Sequence, residues 1–308
     1  MIVVDRLTKT YGAKKAVDDL SFTVSPGRVT GFLGPNGSGK STTMRCMLGL
    51  DAADSGSVTF DGKKYSELDR PLTHIGSLLD AGDAHKGRSA RNHLRWIAAT
   101  HGFPASRVDE VLQQVGLQDA AKTKVGKFSL GMRQRLGLAT ALLGNPQIVI
   151  LDEPANGLDP EGIRWTREVM RSLADAGRSV LVSSHQLVEL SLVADDLVVI
   201  GQGKLISAGP ISQFMTQHAK TWVHVVSPQF EQLAALVSAR GGQVERTSDG
   251  GDFHGITAMQ IGEIAAANSI VLHELAPQTG SLEQAFLDAT DTAVEYRGDL
   301  SVTSEVAK

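Results

Sequence analysis

Gly34-Pro35-Asn36-Gly37-Ser38-Gly39-Lys40-Ser41-Thr42 is the stretch on which the reading of this chain turns. The apolar run Val29 to Leu33 precedes it. A segment with Met44, Met47 and Leu48 at helical spacing follows, from about Lys40 to Leu50. Strand, glycine-rich turn and helix opening on Lys-Ser-Thr match the phosphate-cradling P-loop template in full. Glycines let the backbone curl so that successive N–H groups face phosphate oxygens. The helix start adds about half a positive charge. Lys40 is expected to reach β- and γ-phosphates, and Ser41 to ligate Mg²⁺ through its hydroxyl.

Working outward, Ile148-Val149-Ile150-Leu151-Asp152-Glu153-Pro154 is an apolar strand that ends in two acids. In a parallel sheet such an ending lies at the carboxyl edge, where the P-loop also lies and where ligands bind. Asp152 is expected to hold the metal through water, and Glu153 to orient and deprotonate an attacking water.

The rest of the chain alternates strands with helices. Strands are expected at Ile2 to Val4, Leu20 to Val24, Ser57 to Phe60, Ser179 to Ser183 and Asp196 to Gly201, with a helix from about Pro160 to Ala176. The pattern from Arg88 to Leu143 is helical, with Val108, Val111, Leu112 and Val115 on one face. This predicts an α/β core: a mostly parallel sheet, an antiparallel β subdomain and a helical insert. Composition shifts near Met215 to Thr221. The expected domains are 1–217, the nucleotide-binding core, and 218–308, a small α+β module with a frayed polar tail. Within that module, strands are expected at Trp222 to Val226, Gln243 to Arg246, Phe253 to Ile256 and Ile270 to Leu275. Its helices are expected at Phe230 to Ala239, Ile261 to Ala267 and Leu282 to Asp288.

Composition sets limits. The 308 residues suggest about two domains. A hydrophobic fraction of 42% supplies a full core, so intrinsic disorder is excluded. Thirty Lys and Arg against 34 Asp and Glu give a net charge of −4 with the signs interspersed, which disfavours nucleic acid as a partner. One cysteine, Cys46, can form neither an internal disulfide nor a thiolate metal site, and fits a reducing compartment. No apolar run reaches the ~18 residues of a membrane-spanning helix.

With both motifs in place, the sequence resembles the nucleotide-binding subunits of ABC transporters. Between them lies Phe128-Ser129-Leu130-Gly131-Met132-Arg133-Gln134, at the position of the family's Leu-Ser-Gly-Gly-Gln signature. Leu130 replaces the first signature glycine and Met132 replaces the glutamine. The resemblance covers about residues 1 to 217 and implies a P-loop ABC ATPase core that binds ATP and Mg²⁺. It implies that Ser129 and Gly131, at a helix start, meet the γ-phosphate of an ATP held by a second copy in a head-to-tail dimer. Tyr11 corresponds to the aromatic that stacks on adenine. Asp159, in Asn156-Gly157-Leu158-Asp159, corresponds to the loop that crosses the dimer interface. His185 corresponds to the switch histidine, so Glu153, His185 and Lys40 are the expected catalytic set. Asp80 stands where the family usually carries a Mg²⁺-contacting glutamine, in a segment His74 to Asp80 that aligns with a loop. Gly34 to Thr42 form the nucleotide-binding set, and Ser41, Asp152 and Asp80 the metal set.

The wording Ser-Leu-Gly-Met-Arg-Gln-Arg and Asn-Gly-Leu-Asp-Pro is similar to the bacterial drug- and lantibiotic-exporter branch. This implies a separate membrane permease as partner, with the chain cytoplasmic and peripheral on the inner face of the membrane. His85, Arg88, Arg91, His93 and Arg95 are then either a permease-docking surface or a solvated basic face. Two other classes stand beside this reading at the sequence level: a soluble ABC ATPase acting on ribosomes or DNA, and a nucleotide-sensing module with little turnover. The module beyond residue 217 is similar to tails on some exporter ATPases, with a dimerising or regulatory role implied.

Overall fold

The structure is a computed structural model that describes residues 1–80, 82 and 84–290. The described chain divides into two compact units, Met1–Phe214 joined by the last two described residues, Ala289 and Thr290 of the closing helix, and Met215–Asp288.

Among the described residues the first unit contains nine strands and seven α-helices in chain order. These are β1 (Ile2–Tyr11), β2 (Lys14–Val24), β3 (Val29–Leu33), α1 (Lys40–Met47), β4 (Ser55–Phe60), β5 (Ile75–Leu78), α2 (Ala90–Thr100), α3 (Ala105–Gln114) and α4 (Leu130–Leu142). Then follow β6 (Ile148–Asp152), α5 (Pro160–Asp175), β7 (Ser179–Ser183), α6 (Leu187–Ser191), β8 (Asp196–Gly201), β9 (Lys204–Pro210) and the start of α7 (Ile211–His218). A six-stranded sheet runs β5-β6-β7-β3-β8-β9, and a three-stranded sheet runs β2-β1-β4. All pairs in the large sheet are parallel except β8 with β9, and the small sheet is antiparallel.

The sequence explains this layering. All five residues of β3 are buried, as are all five of β7, because both strands lie inside the sheet and helices cover it. The core joins both sheets: Ile2, Val4, Leu20 and Phe22 meet Phe32, Ile150, Leu181 and Val198, with Met44 and Met47 of α1 among them. The Phe22 and Phe32 rings lie 5.4 Å apart. Burial of each such side chain contributes about 1.5–3 kcal/mol. The order β6-β7-β3 sets the ends of three adjacent strands side by side. Asp152 is in register with Ser183, and Ser183 with Phe32, just before the P-loop.

The structure differs from the sequence reading at three strands. The segment from His74 to Asp80 is not all loop, since Ile75–Leu78 forms edge strand β5, paired with β6. Four residues including a glycine carry little strand signal, and the pairing is decided by packing. A Cβ on Gly76 would lie 2.0 Å from the Ala141 carbonyl oxygen, so only glycine lets α4 approach this closely. The closing strand β9 has no buried face and was not foreseen. The first strand is ten residues long, where three were expected, because alternation is broken by register shifts at Val4/Leu7 and beyond.

The second unit comprises β10 (Thr221–Val226), α8 (Phe230–Ser238), β11 (Gln243–Arg246), β12 (Gly251–His254), α9 (Ala258–Ala267), β13 (Glu274–Thr279) and α10 (Leu282–Thr290). Its sheet order is β11-β12-β10-β13, all antiparallel, the arrangement of a β-α-β-β-α-β split unit. Val223, Val225, Leu233, Phe253 and Ile261 fill its core. The last strand lies at Glu274–Thr279 and not at Ile270 to Leu275. Ile270 is buried as a loop residue, and pairing starts at Glu274 opposite Val226.

Candidate functional site

The P-loop spans the end of β3 and the start of α1, as its spacing predicts. Gly39 sits before the helix with φ 105°, and a Cβ there would lie 2.2 Å from the Ala16 carbonyl oxygen. Only glycine meets both conditions. Lys40 Nζ donates to the carbonyl oxygens of Gly34 (2.6 Å) and Pro35 (3.1 Å), so its ammonium folds back over the loop. Burial lowers the Lys40 pKa, while the charges of Glu153 and Asp152 act in the opposite direction. Ser38 is buried and its carbonyl accepts from Gly203 N–H at 2.9 Å, which fixes the loop to the turn before β9.

A cavity of about 490 Å³ opens beside the loop, lined by Asn36, Gly37, Gly39, Lys40, Ser41 and Thr42. Tyr11, Asp152 and Glu153 also line it. Gly34, Pro35 and Ser38 lie outside this lining. The first two hold the lysine and the third the loop's underside. A neighbouring cavity of about 430 Å³ shares Ser41 and Asp152 and adds Asp80. One oxygen of Asp80 accepts from Gly82 N–H at 2.6 Å.

Ser41 Oγ donates to Asp152 Oδ2 at 2.8 Å. A hydroxyl and a carboxylate oxygen meet where the two cavities join, with Asp80 across the second one. These are hard oxygen donors, the set Mg²⁺ takes together with phosphates and water. Among the described residues no group of three or more His, Cys, Asp or Glu forms a metal cage of its own. A metal here would therefore depend on ligand oxygens, which fits a nucleotide-borne Mg²⁺.

Asp152 Oδ1 accepts from Ser183 Oγ, and Ser183 Oγ accepts from Glu153 N–H at 3.0 Å. Glu153 holds φ 50°, in the left-handed region. Its Oε2 lies 2.6 Å from His185 Nδ1 and accepts from His185 N–H at 3.3 Å. The ring proton is assigned to Nδ1, because a carboxylate can only accept. Beneath this group, Gln134 Nε2 of α4 donates to the carbonyls of Glu153 and Asn156, both at 3.3 Å.

Ser129 caps α4, accepting from Met132 N–H at 3.2 Å, and Asp159 caps α5, accepting from Gly162 N–H at 2.9 Å. Ser129, Gly131 and Asp159 line neither cavity. Within one chain the structure brings Tyr11, the P-loop, Asp152, Glu153 and Asp80 together, joins His185 to Glu153, and leaves the signature apart. Leu130 fills the space over Gly157, whose absent Cβ would lie 2.0 Å from Leu130 Cδ2. The unusual signature residue thus packs against the loop that carries Asp159.

The basic segment is only partly a surface. His93 is 9% exposed, and its Nδ1 has no hydrogen-bond partner, so it leaves the proposed basic face. Arg91 pairs with Asp109 at 3.0 Å. Arg88 lies 4.6 Å over the exposed Trp96 ring. Sequence reading missed Ser183 and Gln134 as site residues. Ser183 carried a signal in its place at the end of a strand parallel to β6. Gln134 carried none, because a glutamine inside an apolar helix shows its purpose only when the facing loop is placed.

A parallel sheet with a P-loop after one strand and paired acids after the next-but-one defines a P-loop nucleoside triphosphatase. The match to known families agrees: residues 17–156 match the family described as "ABC transporter", and residues 221–283 match "Domain of unknown function (DUF8746)". The chain is 35% identical to an uncharacterized ABC transporter ATP-binding protein, YhcH, of Bacillus subtilis, over 96% of this chain and 97% of that protein. It is 42% identical to the bacitracin transport ATP-binding protein BcrA of Bacillus licheniformis, covering 75% and 76% of the two. With the lantibiotic transport ATP-binding protein SrtF of Streptococcus pyogenes the identity is 38%, over 67% and 89%. The solved structure of an ATP-binding subunit of an ABC transporter superposes with a TM-score of 0.65, at 25% identity, over 70% of this chain and 92% of that one. This chain belongs to the ATP-binding proteins of ABC transporters. It is an ATPase of the ABC type, and the branch expected from its motif wording is the one these relatives represent.

Proposed function

We propose that this ATPase powers export of a drug, antibiotic or peptide through a separate membrane permease, acting as an ATP-sandwich dimer. The observation that carries the catalytic reading is the Glu153–His185 contact of 2.6 Å at the wall of the cavity that holds Lys40, Ser41 and Asp152. ATP occupies that cavity, with its phosphates on the Gly34–Thr42 loop and Lys40 and its base toward Tyr11. Ser41 Oγ, Asp152 and Asp80 would hold Mg²⁺, directly or through water, and the ion would supply neutralising charge for the phosphate oxygens. Glu153 orients a water in line with the γ-phosphorus and takes its proton. His185 holds the Glu153 carboxylate in place, and Lys40 stabilises charge that develops on the phosphoryl oxygens.

Ser129, Gly131 and Asp159 act on the nucleotide of the second copy, in keeping with their absence from this chain's own cavities. The bacitracin and lantibiotic transport relatives support an antibiotic or peptide as the cargo. No helix among the described residues is long and apolar enough to cross a membrane. The chain then works on the cytoplasmic face. Residues 218–308 serve as an accessory or regulatory domain. Affinity capture of tagged Glu153→Gln protein from detergent-solubilised cells, with ATP and Mg²⁺, tests the reading. A stoichiometric polytopic membrane protein is the expected catch. Recovery of ribosomal or DNA-associated proteins alone would replace the transporter reading with that of a soluble ATPase.

A further inference from the structure

Tyr11 ends β1 and is 50% exposed, yet its ring is fixed from two sides. The hydroxyl donates to Asp51 Oδ2 at 2.8 Å, and Lys9 Nζ lies 5.1 Å from the ring centroid. Asp51 is in turn gripped by both arms of one guanidinium: Arg45 Nε donates to Oδ2 at 2.8 Å and Nη2 to Oδ1 at 3.1 Å. Arg45 belongs to α1, the helix that opens at Lys40. Arg45 lies five steps along the α-helix from Lys40, an axial rise of about 7.5 Å. The helix that opens at the phosphate loop therefore also carries, through Arg45 and Asp51, the aromatic ring that lines the same cavity.

We propose that Arg45 and Asp51 are positioning residues for the nucleotide base: they clamp the Tyr11 hydroxyl so that the ring stands at a set spacing from the phosphate loop. This rests on the reading of Tyr11 as the base platform. An exposed aromatic at a strand end would otherwise sample several rotamers, and ordering it on binding costs affinity. Lys9 lies against one face of the half-exposed ring, and the base would stack on the other. Two further features favour the clamp. The Asp51 pKa is lowered to about 2, first by the Arg45 and then by the Tyr11 hydrogen bond, so the acceptor stays ionised. The Tyr11 pKa is raised, chiefly by the Asp51 hydrogen bond, so the phenol keeps the proton it donates.

The test compares affinities for ATP and for inorganic tripolyphosphate, both with Mg²⁺, by titration calorimetry on the full chain. Tyr11→Phe, which keeps the ring, and Asp51→Ala should each weaken ATP roughly 3- to 10-fold, the scale of one hydrogen bond, and leave tripolyphosphate binding at its wild-type value. Asp51→Asn, which keeps an acceptor for the phenol, should recover part of the loss. The double variant Tyr11→Phe/Asp51→Ala should lose little more than either single one, because both break the same link. If Tyr11→Ala weakens ATP but Asp51→Ala does not, the clamp is wrong and the platform stands. If Tyr11→Ala leaves ATP affinity unchanged, the platform reading falls and the clamp with it. If Asp51→Ala weakens tripolyphosphate as much as ATP, Asp51 acts by holding α1 and not by placing the ring.

Discussion

Glu153 sits in the left-handed backbone region at φ 50°, where a non-glycine residue costs energy, and it is tied there by Ser183 through its amide and by His185 through its carboxylate. Strain held by surrounding bonds fits the preorganised base proposed for Glu153. Glu153→Gln keeps the shape and removes the proton acceptor. Turnover should fall on the order of 10²-fold or more, and an ATP-bound dimer should accumulate. Wild-type phosphate release from this variant would remove Glu153 from its role. Lys40 is a different case, because among the described residues it bonds to two carbonyls of its own loop, which it can exchange for phosphate oxygens. Lys40→Ala should weaken ATP binding, and an unchanged dissociation constant would count against the phosphate-loop assignment.

At the scale of elements, α4 links the site to the rest of the fold. Its first turn carries the signature, its buried Gln134 supports the loop after Glu153, and its last turn lies against β5. The last contact depends on Gly76. Replacement by Ala would place a methyl 2.0 Å from the Ala141 carbonyl oxygen, a backbone atom that cannot rotate away. Gly76→Ala should destabilise the first unit by about 1–3 kcal/mol, read as a lower urea midpoint. An unchanged midpoint would mean that α4 and β5 separate easily. Gln134→Ala should leave the Glu153 and Asn156 carbonyls without that donor, cost about 1–3 kcal/mol, and slow hydrolysis by loosening the Glu153 loop. A variant destabilised as expected but with full turnover would show that the loop is placed by Ser183 and His185 alone.

For the molecule as a whole, the two compact units have separate cores and can respond to different conditions. In the second unit His224 of β10 lies 2.7 Å from Asp252 of β12, its register partner. Its pKa is raised, first by that hydrogen bond and then by the charges of Asp252, Asp249 and Glu274, against the opposing effect of burial. A raised folded-state value means that the folded form binds the proton more tightly than the unfolded chain. The stabilisation is complete below the ordinary histidine value of about 6.5 and is lost as pH rises through the higher folded value. Hydrogen exchange across residues 221–254 in the full-length protein should therefore quicken, relative to the intrinsic rate, as pH rises from about 6 to 8. In His224→Gln that excess should vanish. Equal pH dependence in both proteins would show that another group controls this sheet.

What the sequence determined by itself was local chemistry. The glycine-rich turn Gly34 to Thr42 and the apolar strand ending in Asp152 and Glu153 are set by neighbours within about ten residues, so their local structure was legible in the sequence, whereas the place of Ser129 was implied only by the family resemblance. The interior strands of the large sheet were legible for the same reason, since burial on both faces writes a continuous apolar run. Tertiary structure alone decided what depends on distant partners. The edge strands β5 and β9 are held by pairing and not by composition. His93 lies inside although its neighbours are basic. Gln134 gains its purpose from a carbonyl 19 residues away, and Tyr11 is fixed by an aspartate 40 residues away. A hydrogen bond across such a separation leaves no local periodicity, because its energy is realised only after the core has brought the two segments together.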